Sequence, residues 1–265
     1  MTTTVPMLSV SDGVATIRLA RPDAGNAVDL PTAIALREAI AEVAGDVGHV
    51  HVVVIRASGR LFCAGGDVRA MAAAPERQAF VAELAGVLHE ALGALRDLPV
   101  PVVAVVQGAA AGAGVGLVLA SDVVLAADHA TFVAAYPSVG LSPDCGVSAL
   151  LPAAVGARRA ALFLLTGTPI DAATALDWGL VSEVCAAETL DARAGEVVAA
   201  IAALPRQAVG EAARLLRRSG ERPYAAQLAD EAATISRLAA GAEAGALLAA
   251  FASPARDRPT EGDTP

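Results

Sequence analysis

The chain has no lysine: all nineteen of its basic side chains are arginine, spread over 265 residues. Schiff-base chemistry and pyridoxal phosphate attachment both need a lysine amine, so both are excluded. Cysteine is scarce. Cys63, Cys145 and Cys185 are odd in number and far apart, giving neither a disulfide framework nor the paired spacing of zinc ligands, and no metal site is expected. Net charge is −9 with scattered arginines, whereas phosphate-backbone binding needs a concentrated basic face, so no nucleic-acid partner is expected. The N-terminus shows no basic segment followed by an apolar core, so no signal peptide is read and a cytoplasmic location is the default. The uncharged run Leu98 to Ser121 is long enough to cross a bilayer, but Pro99, Pro101, Gln107 and a glycine cluster break it into strand, turn and helix, so no membrane span is expected.

With 55% hydrophobic residues the chain can build a large core, and its punctuation is that of an α/β protein. Leu8 to Val10 and Val14 to Leu19 flank Asp12-Gly13, which predicts a hairpin. Asp29 is placed to cap a helix from Leu30-Pro31 to about Ala44. A buried strand Val50 to Ala57, a helix Glu76 to Asp97, a strand Val102 to Val106, a helix after Gly112 and a strand Val123 to Ala127 follow. This alternation implies a parallel sheet. Beyond Gly146 the pattern reads as almost wholly helical, with helices near 147–154, 157–166, 171–178, 190–203, 206–218 and 225–250. The organisation expected is a core over 1–190, a helical region over 191–252 and a tail, Ser253 to Pro265, rich in Pro, Asp, Thr and Arg and expected to be disordered.

Two strand-to-helix turns are built from the smallest side chains. Arg60-Leu61-Phe62-Cys63-Ala64-Gly65-Gly66-Asp67 follows the first buried strand, and Gln107-Gly108-Ala109-Ala110-Ala111-Gly112-Ala113-Gly114-Val115-Gly116 follows the second. Without bulky side chains, peptide N–H groups can approach a ligand oxygen closely. The second turn lacks the Gly-x-Gly-x-x-Gly order of a dinucleotide site and the Lys-Ser/Thr of a P-loop. A nicotinamide or nucleoside-triphosphate enzyme is therefore disfavoured.

Several landmarks agree in order and spacing: Arg21-Pro22 with Asn26-Ala27, Phe62 to Asp67, Gln107-Gly108 with its glycine-alanine turn, Ser121-Asp122, and Gly140-Leu141-Ser142-Pro143-Asp144. Together they resemble the crotonase superfamily, the enoyl-CoA hydratase/isomerase family, over about Val5 to Gly179. The resemblance implies a spiral of ββα units with a C-terminal helical trimerisation region, assembled as a homotrimer or a dimer of trimers. It implies an acyl-CoA substrate, with coenzyme A part of that substrate and no separate cofactor. The thioester oxygen would lie in an oxyanion hole formed by the backbone N–H groups of Gly66 and Ala113. By the same resemblance Ala64 and Asp67, with neighbouring Val68, line the coenzyme A site, Arg21 and Ala24 lie near the pantetheine and phosphates, and Tyr136 faces the acyl group. Arg60 and Arg69 are further phosphate candidates.

Hydratases of the family use two glutamates, and here the corresponding positions are Gly116 and Tyr136. Addition of water needs one group to deprotonate it and another to protonate carbon, so simple hydratase activity is disfavoured. Asp144 stands where isomerases of the family carry one acid, and one acid suffices to move a proton between two carbons. From the local sequence alone Asp144 reads first as a cap of the helix that begins near Gly146, and it is the family resemblance that favours the acid. An alternative resembles 4-chlorobenzoyl-CoA dehalogenase, with Asp144 as nucleophile, His89 as base and an aromatic at Tyr136. A non-catalytic acyl-CoA binder is the third reading. Small residues at Gly116, Ala134 and Ala135 are expected to leave room for the acyl group.

Overall fold

A computed structural model of the protein describes residues 7–252, so the expectation for the tail from Ser253 lies outside the described residues. Strands β1 (Leu8–Ser11) and β2 (Val14–Leu19) form the expected hairpin, turning at Asp12 and Gly13, both at positive φ. Helix α1 (Leu30–Gly45) starts at Asp29, whose carboxylate accepts the Thr32 N–H. Strand β3 (Val52–Ala57) leads to α2 (Val68–Ala73) and α3 (Arg77–Asp97); β4 (Val102–Val106) leads through β5 (Ala110–Ala111) to α4 (Ala113–Leu119). Next come β6 (Val123–Ala127), β7 (Thr131–Val133), α5 (Val147–Val155), α6 (Ala157–Thr166), β8 (Ile170–Asp171), α7 (Ala172–Trp178) and β9 (Glu183–Cys185). Helices α8 (Leu190–Ala202), α9 (Arg206–Arg218), α10 (Tyr224–Ala239) and α11 (Ala242–Ala252) complete the described chain.

The main sheet has the order β1-β2-β3-β4-β6-β9, antiparallel at the hairpin and parallel elsewhere; β5, β7 and β8 form a smaller sheet. The unbroken apolar run in β3 follows from burial on both faces. Val53 and Ile55 face the larger core, shared with Leu36, Ile40 and Leu88 from α1 and α3. Val52 and Val54 face the opposite layer, where Leu190, Ala194 and Val198 of α8 close over Val103, Val105 and Leu125.

Two expectations are corrected. The stretch beyond Gly146, read as almost wholly helical, also holds the unread strands β8 and β9, which at two and three residues are too short to set up a period. The helix expected over 225–250 is two helices meeting at 80° around Gly241. By its packing the chain divides into a first compact unit that runs to Gly220 and a second that begins at Glu221. Helix α8 is held by its apolar face. In α9, Arg217 is almost fully buried and donates to both Asp122 oxygens and to the carbonyls of Arg96, Leu98 and Val100. The second unit, from Glu221, is described through α10 and α11, with Arg222 paired to Asp230 at 2.9 Å. No single described helix is long and apolar enough to cross a membrane.

Candidate active site

Parallel neighbours β3 and β4 bring the two small-residue turns to the same end of the sheet, where backbone hydrogen bonds join them. Phe62 and Cys63 donate their N–H groups to the Ala109 carbonyl at 3.0 and 3.1 Å, and the Cys63 carbonyl accepts the Ala111 N–H at 2.8 Å. A methyl group on Gly114 would sit 2.7 Å from the Cys63 carbonyl oxygen and 2.9 Å from its Cβ, so only glycine lets α4 come this close. Beyond the joined stretch, the N–H groups of Gly66 and Ala113 have no acceptor among the described residues. Ala113 opens α4, and N–H groups in a first helical turn have no intrahelical partner. Both residues line a cavity of about 290 Å³. Two unpartnered donors on residues that line an apolar cavity are suited to an oxygen that gains negative charge.

One wall of the cavity is apolar: Met71 from α2, with Val81, Leu84, Ala85 and Leu88 from α3. Tyr136, Leu141, Ser142 and Asp144 face them. Asp144 is the sole carboxylate among the lining residues. Its side chain does not cap α5, which starts at Gly146 without a side-chain cap; the Asp144 backbone carbonyl accepts the Val147 N–H instead. The Tyr136 hydroxyl donates to that carbonyl at 3.5 Å. Burial first, and the Asp144 charge second, push the Tyr136 phenol far above its ordinary range, so it stays a neutral donor. The same two causes, in the same order, raise the Cys145 thiol. Cys63, fully enclosed between the turns, is pushed up to about 11 by burial.

Seven expected residues meet around the cavity: Gly66, Ala113, Ala64, Val68, Ala135, Tyr136 and Asp144. The others lie outside its lining. Arg21 is held by the Ala27 carbonyl at 2.5 Å, Asp29 at 3.0 Å and Asp67 at 3.4 Å, so its guanidinium braces the first turn. Asp67 also caps α2, accepting from Arg69 and Ala70, and Ala24 sits in the short helical turn Pro22–Ala24. His89 is half exposed on α3; its Nε2 accepts the Cys145 N–H at 3.1 Å and lies 3.9 Å from the Asp144 carboxylate. Ligand-type atoms of His89, Asp144 and Cys145 lie within 4.8 Å of one another, but the Nε2 lone pair is already used by that N–H. Arg60 and Arg69 have no acidic partner among the described residues.

The room expected at Gly116 is not there: a Cβ on it would lie 2.6 Å from the Cys145 Cβ and 3.0 Å from the Cys145 carbonyl oxygen. Cys145 fills the space that a side chain at 116 would occupy. The wall on α3 was missed as a site, although Val81, Leu84, Ala85 and Leu88 show the i, i+3, i+4, i+7 spacing of one helix face. That spacing marks a buried face without saying what covers it.

A family model described as enoyl-CoA hydratase/isomerase matches residues 9–252. The chain belongs to the enoyl-CoA hydratase/isomerase family. Among similar proteins in the family, a trans-2-decenoyl-[acyl-carrier-protein] isomerase of Streptococcus mutans is 36% identical over 188 residues, 70% of this chain and 71% of that one. A 4-chlorobenzoyl coenzyme A dehalogenase of an Arthrobacter species is 35% identical over 202 residues, 76% of this chain and 73% of that one. The crystal structure of an enoyl-CoA hydratase from Mycobacterium smegmatis superposes with a TM-score of 0.87 at 34% identity, covering 93% of this chain and 96% of that one. These relatives are named for different reactions, so the family alone does not identify the reaction.

Proposed function

We propose that the protein isomerises enoyl-CoA thioesters, moving a 3,4 double bond into conjugation with the thioester carbonyl. One observation carries this reading: a single carboxylate, Asp144, lines an apolar cavity also lined by Gly66 and Ala113, whose N–H groups have no acceptor among the described residues. Asp144 takes a proton from the carbon next to the thioester, and the electron pair left behind spreads into a dienolate whose charge collects on the thioester oxygen. The two N–H groups stabilise that charge more than they stabilise the ground-state carbonyl. The protonated Asp144 then returns the proton two carbons further along, and the double bond moves.

Hydration is disfavoured because it needs a second acid, and Cys145 occupies the space beside Gly116. The cavity has roughly twice the ~150 Å³ volume of one that takes benzene, which suits an apolar acyl group of medium chain length or aryl size. The unpaired Arg60 and Arg69 are assigned to the phosphates of coenzyme A, and a trimer or pair of trimers in the cytoplasm to the assembly. The dehalogenase-like reading has Asp144, His89 and Tyr136 in its favour; against it stands His89 Nε2, bonded to a backbone N–H and not free to activate water.

The test is turnover of trans-3-octenoyl-CoA, followed by absorbance of the conjugated product. Asp144→Asn should lower kcat by about 10²–10⁴-fold and leave thioester affinity nearly unchanged. Undiminished turnover would refute the role of Asp144. Tight binding with no reaction of any acyl-CoA would point to the non-catalytic reading, and acid or halide release from an aryl-CoA to the nucleophilic one.

A further inference from the structure

Among the described residues, three non-glycine residues have positive φ: Asp12, Asn26 and Cys145. Asp and Asn adopt this conformation readily, because their short polar side chains can bond locally. Asn26 does so, accepting the Arg21 N–H and donating to the Ser58 and Leu61 carbonyls. Cys145, at φ 54, is not a residue type that adopts this region readily, and its thiol bonds the neighbouring Asp144 side chain and no backbone group of its own turn, so its backbone conformation needs a partner of its own. It directly follows Asp144.

The peptide group between Asp144 and Cys145 is gripped at both ends. Its oxygen accepts the Val147 N–H at 3.0 Å and the Tyr136 hydroxyl at 3.5 Å, and its N–H is captured by His89 Nε2 at 3.1 Å. Because a peptide is planar and stiff, fixing both ends fixes its plane, and with it the direction in which Asp144 projects its carboxylate. His89 reaches this loop from α3, the helix that also supplies the apolar wall of the cavity. Accepting at Nε2 puts the ring proton on Nδ1, the neutral tautomer.

We propose that His89 is a positioning residue: its Nε2 holds the Cys145 N–H, keeps Cys145 in the left-handed region and so aims Asp144 at the site of proton transfer. This builds on the isomerase reading but concerns the geometry of the acid, not the choice of reaction. His89 acts through the backbone and does not touch the substrate.

Four variants assayed on trans-3-octenoyl-CoA test it: His89→Ala, His89→Gln, Cys145→Gly and the double variant His89→Ala with Cys145→Gly. His89→Ala should lower kcat about tenfold or more, the scale of losing control of a left-handed residue, with KM little changed. Glutamine offers Oε1 near the place of Nε2 and should restore kcat to within a few-fold of the parent. Glycine adopts positive φ without a Cβ penalty, so Cys145→Gly should recover part of the activity that His89→Ala loses. A base at position 89 predicts the opposite, with glutamine as damaging as alanine and no rescue by glycine, and that result would overturn the proposal. Crystal structures of His89→Ala and His89→Gln give a readout independent of turnover. Cys145 should leave positive φ in the alanine variant and keep it in the glutamine variant; an unmoved 144–145 peptide in the alanine variant would also overturn the proposal. Should the parent enzyme isomerise no 3-enoyl-CoA, the isomerase reading fails by itself, and the crystal structures still decide the role of His89.

Discussion

Replacing Gly114 by alanine puts one methyl group between the two turns that carry the proposed oxyanion donors, Gly66 and Ala113. Its Cβ would lie 2.7 Å from the Cys63 carbonyl oxygen, where about 3.4 Å is comfortable, so one turn must retreat by roughly 3.4 − 2.7 = 0.7 Å. The obstacle is backbone and cannot rotate away. Cys63 is fully buried, and its carbonyl is already bonded to the Ala111 N–H. Catalytic groups must be held within about 0.5 Å, and a misplacement of about 1 Å costs on the order of 100-fold. The expected fall in kcat therefore lies between about tenfold and about 100-fold, with a stability loss of about 1–3 kcal/mol from overpacking. The assay is kcat and KM on trans-3-octenoyl-CoA beside a thermal melt. Gly93→Ala on α3 is the control, since a methyl group there meets nothing within 4 Å. If Gly114→Ala remains folded and keeps kcat within about twofold of the parent, the idea that this close contact sets the donor geometry is wrong.

Leu84→Trp should fill the apolar wall, raising KM for octenoyl-CoA far more than for butenoyl-CoA, as a comparison of the two substrates would show. Arg217→Ala removes a guanidinium that is only 6% exposed and strands Asp122 with three backbone carbonyls, so denaturant unfolding should report a loss of about 3–5 kcal/mol. The Cys63 thiol rises from its usual 9.0 to about 11 on folding, so the native state holds its proton more tightly than the unfolded chain. Its contribution is complete below pH 9 and is lost as pH rises to 11, by about 2–3 kcal/mol at most. Urea titrations across that range should show the loss in the parent and a flatter profile in Cys63→Ala.

Much of the first unit was legible because its signals are local. The Asp12-Gly13 hairpin, the Asp29 cap and the doubly buried β3 each follow from a few adjacent residues. Short strands were not legible: β9 pairs only three residues with β6, and its place at the sheet edge comes from that partner. The two small-residue turns could be read as open backbone from their Gly and Ala content. Their hydrogen-bonded junction at Cys63 and Ala109 could not, because it joins residues 46 positions apart. At Gly116 local reasoning pointed the wrong way, since a missing side chain looks like empty space until Cys145 is found filling it.

By itself the sequence determined the class of molecule and excluded whole chemistries, since the absence of lysine or of a P-loop needs no coordinates to be meaningful. It also determined which stretches carry open N–H groups, because small side chains act on their own backbone. Tertiary structure decided which groups face one another. Asp144 is one of many acids in the chain, and its candidacy as the proton carrier rests on lining the cavity with Gly66 and Ala113. His89 is an ordinary helical histidine until the fold sets its Nε2 against the Cys145 N–H, 56 residues away. The physical reason is range: propensity and turn chemistry act over a few residues, whereas a catalytic geometry depends on distances between parts of the chain that only packing brings together.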